Sequence, residues 1–193
     1  FANAGTTVVR DDVTATSVDQ RGAIQVDREG GLRVDAAYRQ DAGTTALVAG
    51  AGATLEAGAG VAIDEGTLHG AGIVYGDVAV GAATVDPTGV LWVEGDLALA
   101  ETATVRIDAV ATDLVDVAGT ATVAGTLDLQ IGDGFDEGTE ILHAEGGIDG
   151  RFGRVTGAAA CVAVRYDELD VSLAPRACAA IGDTRTTEAA GAL

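Results

Sequence analysis

The sequence contains no lysine and no methionine; all 11 of its basic residues are arginine. Without lysine there is no Schiff-base chemistry, no phosphate-loop lysine and no Lys–Asn isopeptide crosslink. Without methionine, Phe1 is not a translation start, and the expectation is a processed chain that has been exported from the cell. Aromatic residues make up only 4% of the chain, so its core has to be thin and built from small side chains. No apolar run reaches the roughly 18–20 residues of a membrane helix, and membrane insertion of this chain is not expected. Positive charge is scarce: 30 acidic against 11 basic residues leave a formal charge of -19. That balance disfavours nucleic acid and anionic lipid surfaces as partners. Only two cysteines occur, Cys161 and Cys178. In an oxidising compartment a disulfide between them is expected, stabilising by about 3 kcal/mol.

What is present is small and turn-rich. Hydrophobic residues reach 48%, dominated by Ala and Val, and there are 28 glycines without a Gly-X-Y period. No stretch shows sustained helical spacing, whereas short alternating runs recur throughout. Examples are Ala23–Val26, Leu32–Val34, Val61–Ile63, Val78–Val80, Leu97–Leu99, Thr104–Ile107 and Leu127–Ile131. Glycine corners separate them, at Gly30-Gly31, Gly58-Ala59-Gly60, Gly76-Asp77, Gly95-Asp96, Gly119 and Gly125. Hairpin signals are missing apart from a loose Gly132-Asp133-Gly134, and the corners read as places where a chain bends and continues around a coil.

The expected fold is all-β, a right-handed parallel β-solenoid, with Val, Leu and Ile ladders filling a narrow interior. At about 20 residues per rung the chain would give nine or ten rungs and a rod of roughly 45 Å. One solenoid domain is expected over residues 1–178, looser in pattern up to Gly70, with a peripheral tail over 179–193.

Residues 70–173 carry a resemblance. Gly89-Val-Leu-Trp-Val-Glu-Gly-Asp-Leu-Ala-Leu99 is a glycine, an alternating strand, Gly-Asp and a second strand. Asp113-Leu-Val-Asp-Val-Ala-Gly-Thr-Ala-Thr-Val-Ala-Gly-Thr-Leu127 follows with the pattern Asp-x-Leu-x-Val-x-Gly. Then come Gly134-Phe135, Gly138–Leu142, Gly147–Phe152 and Tyr166–Leu173. Together they resemble the C-terminal, autochaperone-type part of autotransporter passenger domains. The resemblance implies a right-handed parallel β-helix on or outside a bacterial cell, with adhesion among its roles.

Chemistry-bearing motifs are thin. His69 and His143 have no Cys or carboxylate at a familiar metal-ligand spacing, so neither a metal site nor a cofactor is expected. Ser17 and Ser172 lack a Gly-x-Ser-x-Gly frame. The pairs Asp113/Asp116 and Asp167/Asp170 would act on a polysaccharide only if coil stacking set them at glycosidase distances; solvated acidic corners are the commoner outcome. The Gly-Asp corners lack the calcium-binding nonapeptide, and Trp92 and Phe135 read as core or cap residues. The chain is therefore not expected to be an enzyme.

A solenoid end exposes unpaired backbone groups that invite another strand. Thr6, Thr7, Val8, Val9 and Arg10 at one end, and Leu169, Asp170, Val171, Ser172 and Leu173 at the other, are the candidate subunit-contact strands. Head-to-tail association through them would build a secreted surface fibre or matrix. The alternative is a monomeric adhesin stalk, with other surface proteins or glycans as partners. A glycan-active enzyme ranks below both.

Overall fold

Short runs of inward aliphatic and outward polar residues, many of them closed by a glycine, make strands that must bend before they can continue. A computed structural model describes residues 1–48, 52–109, 112–130, 137–157 and 162–175, and among these there is no helix. The strands coil into three parallel stacks. The first contains Ala2–Asn3, Val18–Gln20, Tyr38–Gln40, the stretches 61–63 and 78–80, Leu97–Leu99, Ala121–Val123 and Ile148–Gly150. The second runs from Thr6–Val9 through Ala23–Val26, Thr44–Leu47, 67–70, 84–87, Thr104–Asp108 and Thr126–Gln130 to Arg154–Gly157. The third runs from Val13–Ala15 through Gly31–Val34, Thr54–Ala57, 73–75, 90–93 and Leu114–Val117 to Thr139–Ala144. The all-β parallel solenoid expected from the sequence is the observed fold.

Among the described residues it has fewer rungs than a uniform period over the whole chain suggests, because parallel coiling gives way to an antiparallel hairpin after Gly157; the coils also differ in length. One coil takes 17 residues, from Ala2 to its partner Asp19, and another 27, from Thr122 to Asp149. The extra residues go into the corners and leave the strands in register. At about 4.8 Å per level the first stack is about 34 Å tall.

Two strands, Val61–Tyr75 and Val78–Val93, pass through all three stacks without interruption. They bend where glycine permits it. At one corner Gly22, Gly43 and Gly66 lie over one another. A Cβ on Gly43, whose φ is +81°, would fall 1.7 Å from the Gly22 carbonyl oxygen, and one on Gly66 would fall 2.1 Å from that of Gly43. Only glycine fits this column.

The inward positions form one continuous core, from Val9 and Ile24 through Leu55, Ile63, Leu91 and Ile107 to Leu127 and Leu142. The N-terminal third, loose in its sequence pattern, follows the same three stacks. Its pattern is obscured because some inward positions are polar. Asn3, Gln20 and Gln40 are register partners and all buried; the next positions in that column are Ile63 and Val80. Asn3 Nδ2 donates to Gln20 Oε1 at 2.7 Å. Gln40 Nε2 faces the carbonyls of Glu65 at 3.0 Å, Gly43 at 3.2 Å and Thr67 at 3.3 Å, and Gln40 Oε1 accepts from the Thr45 hydroxyl at 2.6 Å. The fully buried Tyr38 hydroxyl bonds to Thr45 Oγ1. A buried amide is tolerable because its donors and acceptor are satisfied.

At the C-terminal end the parallel pattern stops. Val162–Tyr166 and Asp170–Pro175 form an antiparallel hairpin, and Asp170–Pro175 also pairs antiparallel with Thr139–Ala144. The Asp167 N–H closes the turn on the Asp170 carbonyl at 2.8 Å.

Candidate functional site

Three places on the solenoid collect chemistry: its corners, its outward side-chain columns and its two ends. At the corner after the third stack, Asp77 Oδ1 accepts the Asp96 N–H at 3.0 Å, and Asp96 Oδ1 accepts the Thr120 N–H at 2.7 Å. The Gly-Asp corners thus link each coil to the next through a carboxylate and a backbone amide.

On the second stack an outward column carries His69, Asp86, Arg106, Asp128 and Thr156 in succession. His69 Nδ1 lies 3.1 Å from Asp86 Oδ2, Arg106 Nε lies 3.3 Å from Asp128 Oδ2, and Thr156 Oγ1 donates to Asp128 Oδ1 at 2.9 Å. Beside it, Asp86, Arg106, Asp108, Asp113 and Gln130 line an open cleft of about 340 Å³. Asp113 is 6% exposed and receives the Gly89 N–H at 3.0 Å and the Asp108 N–H at 2.9 Å. Burial raises its carboxyl above the ordinary range, against the pull of those two bonds. Asp113 closes a corner, whereas Asp116 projects from the third stack beside Trp92 and His143.

Among the described residues, that third-stack column brings Glu140, His143 and Asp170 together. Register places Ile73, Trp92, Asp116 and His143 in succession, and the antiparallel hairpin sets Asp170 against His143. His143 Nδ1 is 2.6 Å from Asp170 Oδ1 and 3.4 Å from Glu140 Oε1. The Asp170 hydrogen bond raises the His143 pKa, while burial raises the carboxyls of Asp116 and Glu140. Asp170 lies 27 residues after His143, which is why no local spacing announces the cluster. Asp167, the other half of the pair read from the sequence, sits in the exposed hairpin turn. Trp92 corrects an expectation: it is 46% exposed, because its neighbours Leu91 and Val93 take the inward positions.

The two ends differ. Thr6–Val9 pairs with Ala23–Val26 alone among the described residues, so its other edge is open; Val8 and Val13 at this end are exposed, and Arg10 lies 3.5 Å from Asp27. At the other end, Val171, Ser172 and Leu173 lie in a strand paired on both edges, Asp170 is held by His143, and Leu169 occupies the turn. That strand has no backbone edge free to add another. The physical reason is the reversal at Asp167–Leu169, which folds the closing strand back over the last coil. Cys161, Cys178, Phe135 and residues 179–193 lie outside the described residues.

A scan against protein-family models finds no match, and a search of curated proteins finds none either. The passenger resemblance therefore rests on the motifs and on the solenoid fold. No helix among the described residues is long and apolar enough to cross a membrane.

Proposed function

We propose that this chain is a structural solenoid of an extracellular bacterial surface protein, the partly capped end of a stalk that holds binding surfaces away from the cell. The observation that carries this reading is the difference between the ends. Asp170–Pro175 is paired on both edges, while Thr6–Val9 has an open edge among the described residues. An open ladder accepts a further coil; at the other end the hairpin covers the third stack, as part of a capping repeat does, while Ile148–Gly150, Arg154–Gly157 and Val162–Tyr166 are each paired on one edge among the described residues. Head-to-tail growth through Leu169–Leu173 needs a free edge that this strand does not supply, which favours the stalk. Asp113 and Asp116 are split between a buried corner and an outward column, and Asp167 and Asp170 between an exposed turn and that column, which favours a scaffold over a glycan-active enzyme. Export to the cell surface is part of the same reading, supported by the passenger-like motifs and the acidic, lysine-free composition.

Light scattering and electron microscopy of the purified chain across salt and concentration test it. Monodisperse single rods are expected. Filaments whose length grows with concentration would overturn the stalk in favour of the fibre, and the native protein found only inside the cell would overturn the location.

A further inference from the structure

We propose that Glu140, His143 and Asp170 form a binding site for a borderline divalent metal ion of the zinc type, which clamps the C-terminal hairpin onto the last coil. The three residues come from two elements: Glu140 and His143 from the last strand of the third stack, and Asp170 from the hairpin strand paired against it. Each offers one ligand atom, and the three atoms lie within 4.8 Å of one another. Metal–ligand bonds of about 2.0–2.2 Å in a tetrahedron set the ligand atoms about 3.4 Å apart. The Nδ1···Oε1 separation between His143 and Glu140 is 3.4 Å. The 2.6 Å contact of His143 with Asp170 is a hydrogen bond. A proton stands there in the place of the cation, and opening that contact by less than an ångström gives this pair the spacing of the first, with Glu140 and Asp170 within 4.8 Å of each other.

Charge points the same way. Asp116, the register partner of His143 in the coil beneath, brings a third carboxylate to the imidazole, and Glu145 lies close enough to act on Asp116. Three carboxylates around one imidazole leave an excess of negative charge in a chain already at -19, which concentrates cations at this face. The donor set selects among them. One imidazole nitrogen and two carboxylate oxygens with a side open to water suit Zn²⁺ and its neighbours, whereas Ca²⁺ requires six to eight oxygens. Binding exchanges the Nδ1 proton for the metal and joins the hairpin to the coil through bonds stronger than one hydrogen bond. Its role is mechanical, and it does not depend on whether the rod is a stalk or a fibre subunit.

Calorimetric titration of the metal-stripped full chain with ZnCl₂, alongside thermal melts and the visible spectrum with Co²⁺, tests the site. One strong Zn²⁺ equivalent, a rise in melting temperature and Co²⁺ bands of low-symmetry coordination are expected, with no comparable response to Ca²⁺. His143→Ala and Asp170→Asn should each weaken binding by at least about tenfold. Glu140→Gln keeps the His143–Asp170 hydrogen bond and should fold as the parent does while losing affinity. No strong equivalent in the parent, or unchanged affinity in Glu140→Gln and His143→Ala, overturns the proposal and assigns any uptake to the diffuse acidic surface.

Discussion

Tyr38 provides a clean test of the buried network, because a chain without lysine has few groups that titrate in alkali. The ring is completely buried, and burial holds its hydroxyl up to about 12. Thr45 gives its proton to Gln40 Oε1, which can only accept, so the Tyr38 hydroxyl must donate to Thr45 Oγ1. In the unfolded chain the phenol ionises near 10. Between these values the folded state holds a proton that the unfolded state has lost. Stability is therefore complete below about pH 10 and falls as pH rises towards 12. Two pH units correspond to about 3 kcal/mol. Urea unfolding at stepped pH, with the wild type against Tyr38→Phe, measures it. The variant should lose about 1 kcal/mol at neutral pH for one hydrogen bond, and its alkaline slope should be shallower than that of the wild type. Tyr166, whose hydroxyl burial also raises, remains in both proteins and cancels in the difference. Equal alkaline slopes would refute the reasoning, since Tyr38 would then be exposed to solvent or already ionised.

Further outcomes follow from the same packing. Gly43→Ala places a methyl against the Gly22 carbonyl at a positive φ; it should destabilise by at least about 2 kcal/mol and be visible as a lowered melting temperature, whereas alanine at Gly5, with nothing within 4 Å of its Cβ, should be tolerated. Gln40→Ala removes the amide that satisfies Thr45 and bridges three backbone carbonyls, and should cost about 1–3 kcal/mol in chemical denaturation. Asp96→Ala removes only an exposed corner bond to Thr120, so a loss within about 1 kcal/mol is expected in the same assay.

Much of this fold is written in alternation. Val78–Val80, Leu97–Leu99 and Thr104–Ile107 present their Val, Leu and Ile side chains inward, as their spacing implies. The same rule assigns Trp92 outward, and only the habit of placing aromatics in cores suggests otherwise. Asn3, Gln20 and Gln40 escape such reading because hydropathy scores a buried amide as a surface residue; the partners that satisfy it come from the next strand of the same coil and from neighbouring coils, which exist only once the chain is folded. The hairpin is hidden for a different reason. Whether Asp170–Pro175 continues the coil or folds back depends on which neighbouring edge is free, a property of the assembled rod. The cluster of Glu140, His143 and Asp170 inherits that invisibility, since it exists only once the chain reverses.

The amide column at the open end also bears on alignment. Aliphatic ladders are forgiving of a neighbouring strand that slides along them, but carboxamides are directional. A one-residue slip of Val18–Gln20 would turn Gln20 outward and carry the charged Asp19 into the interior. The terminal coil is thereby pinned to a single phase by Asn3, whose Nδ2 donates to Gln20 Oε1 and the Ala23 carbonyl and whose Oδ1 accepts from the Gly5 N–H and the Thr7 hydroxyl.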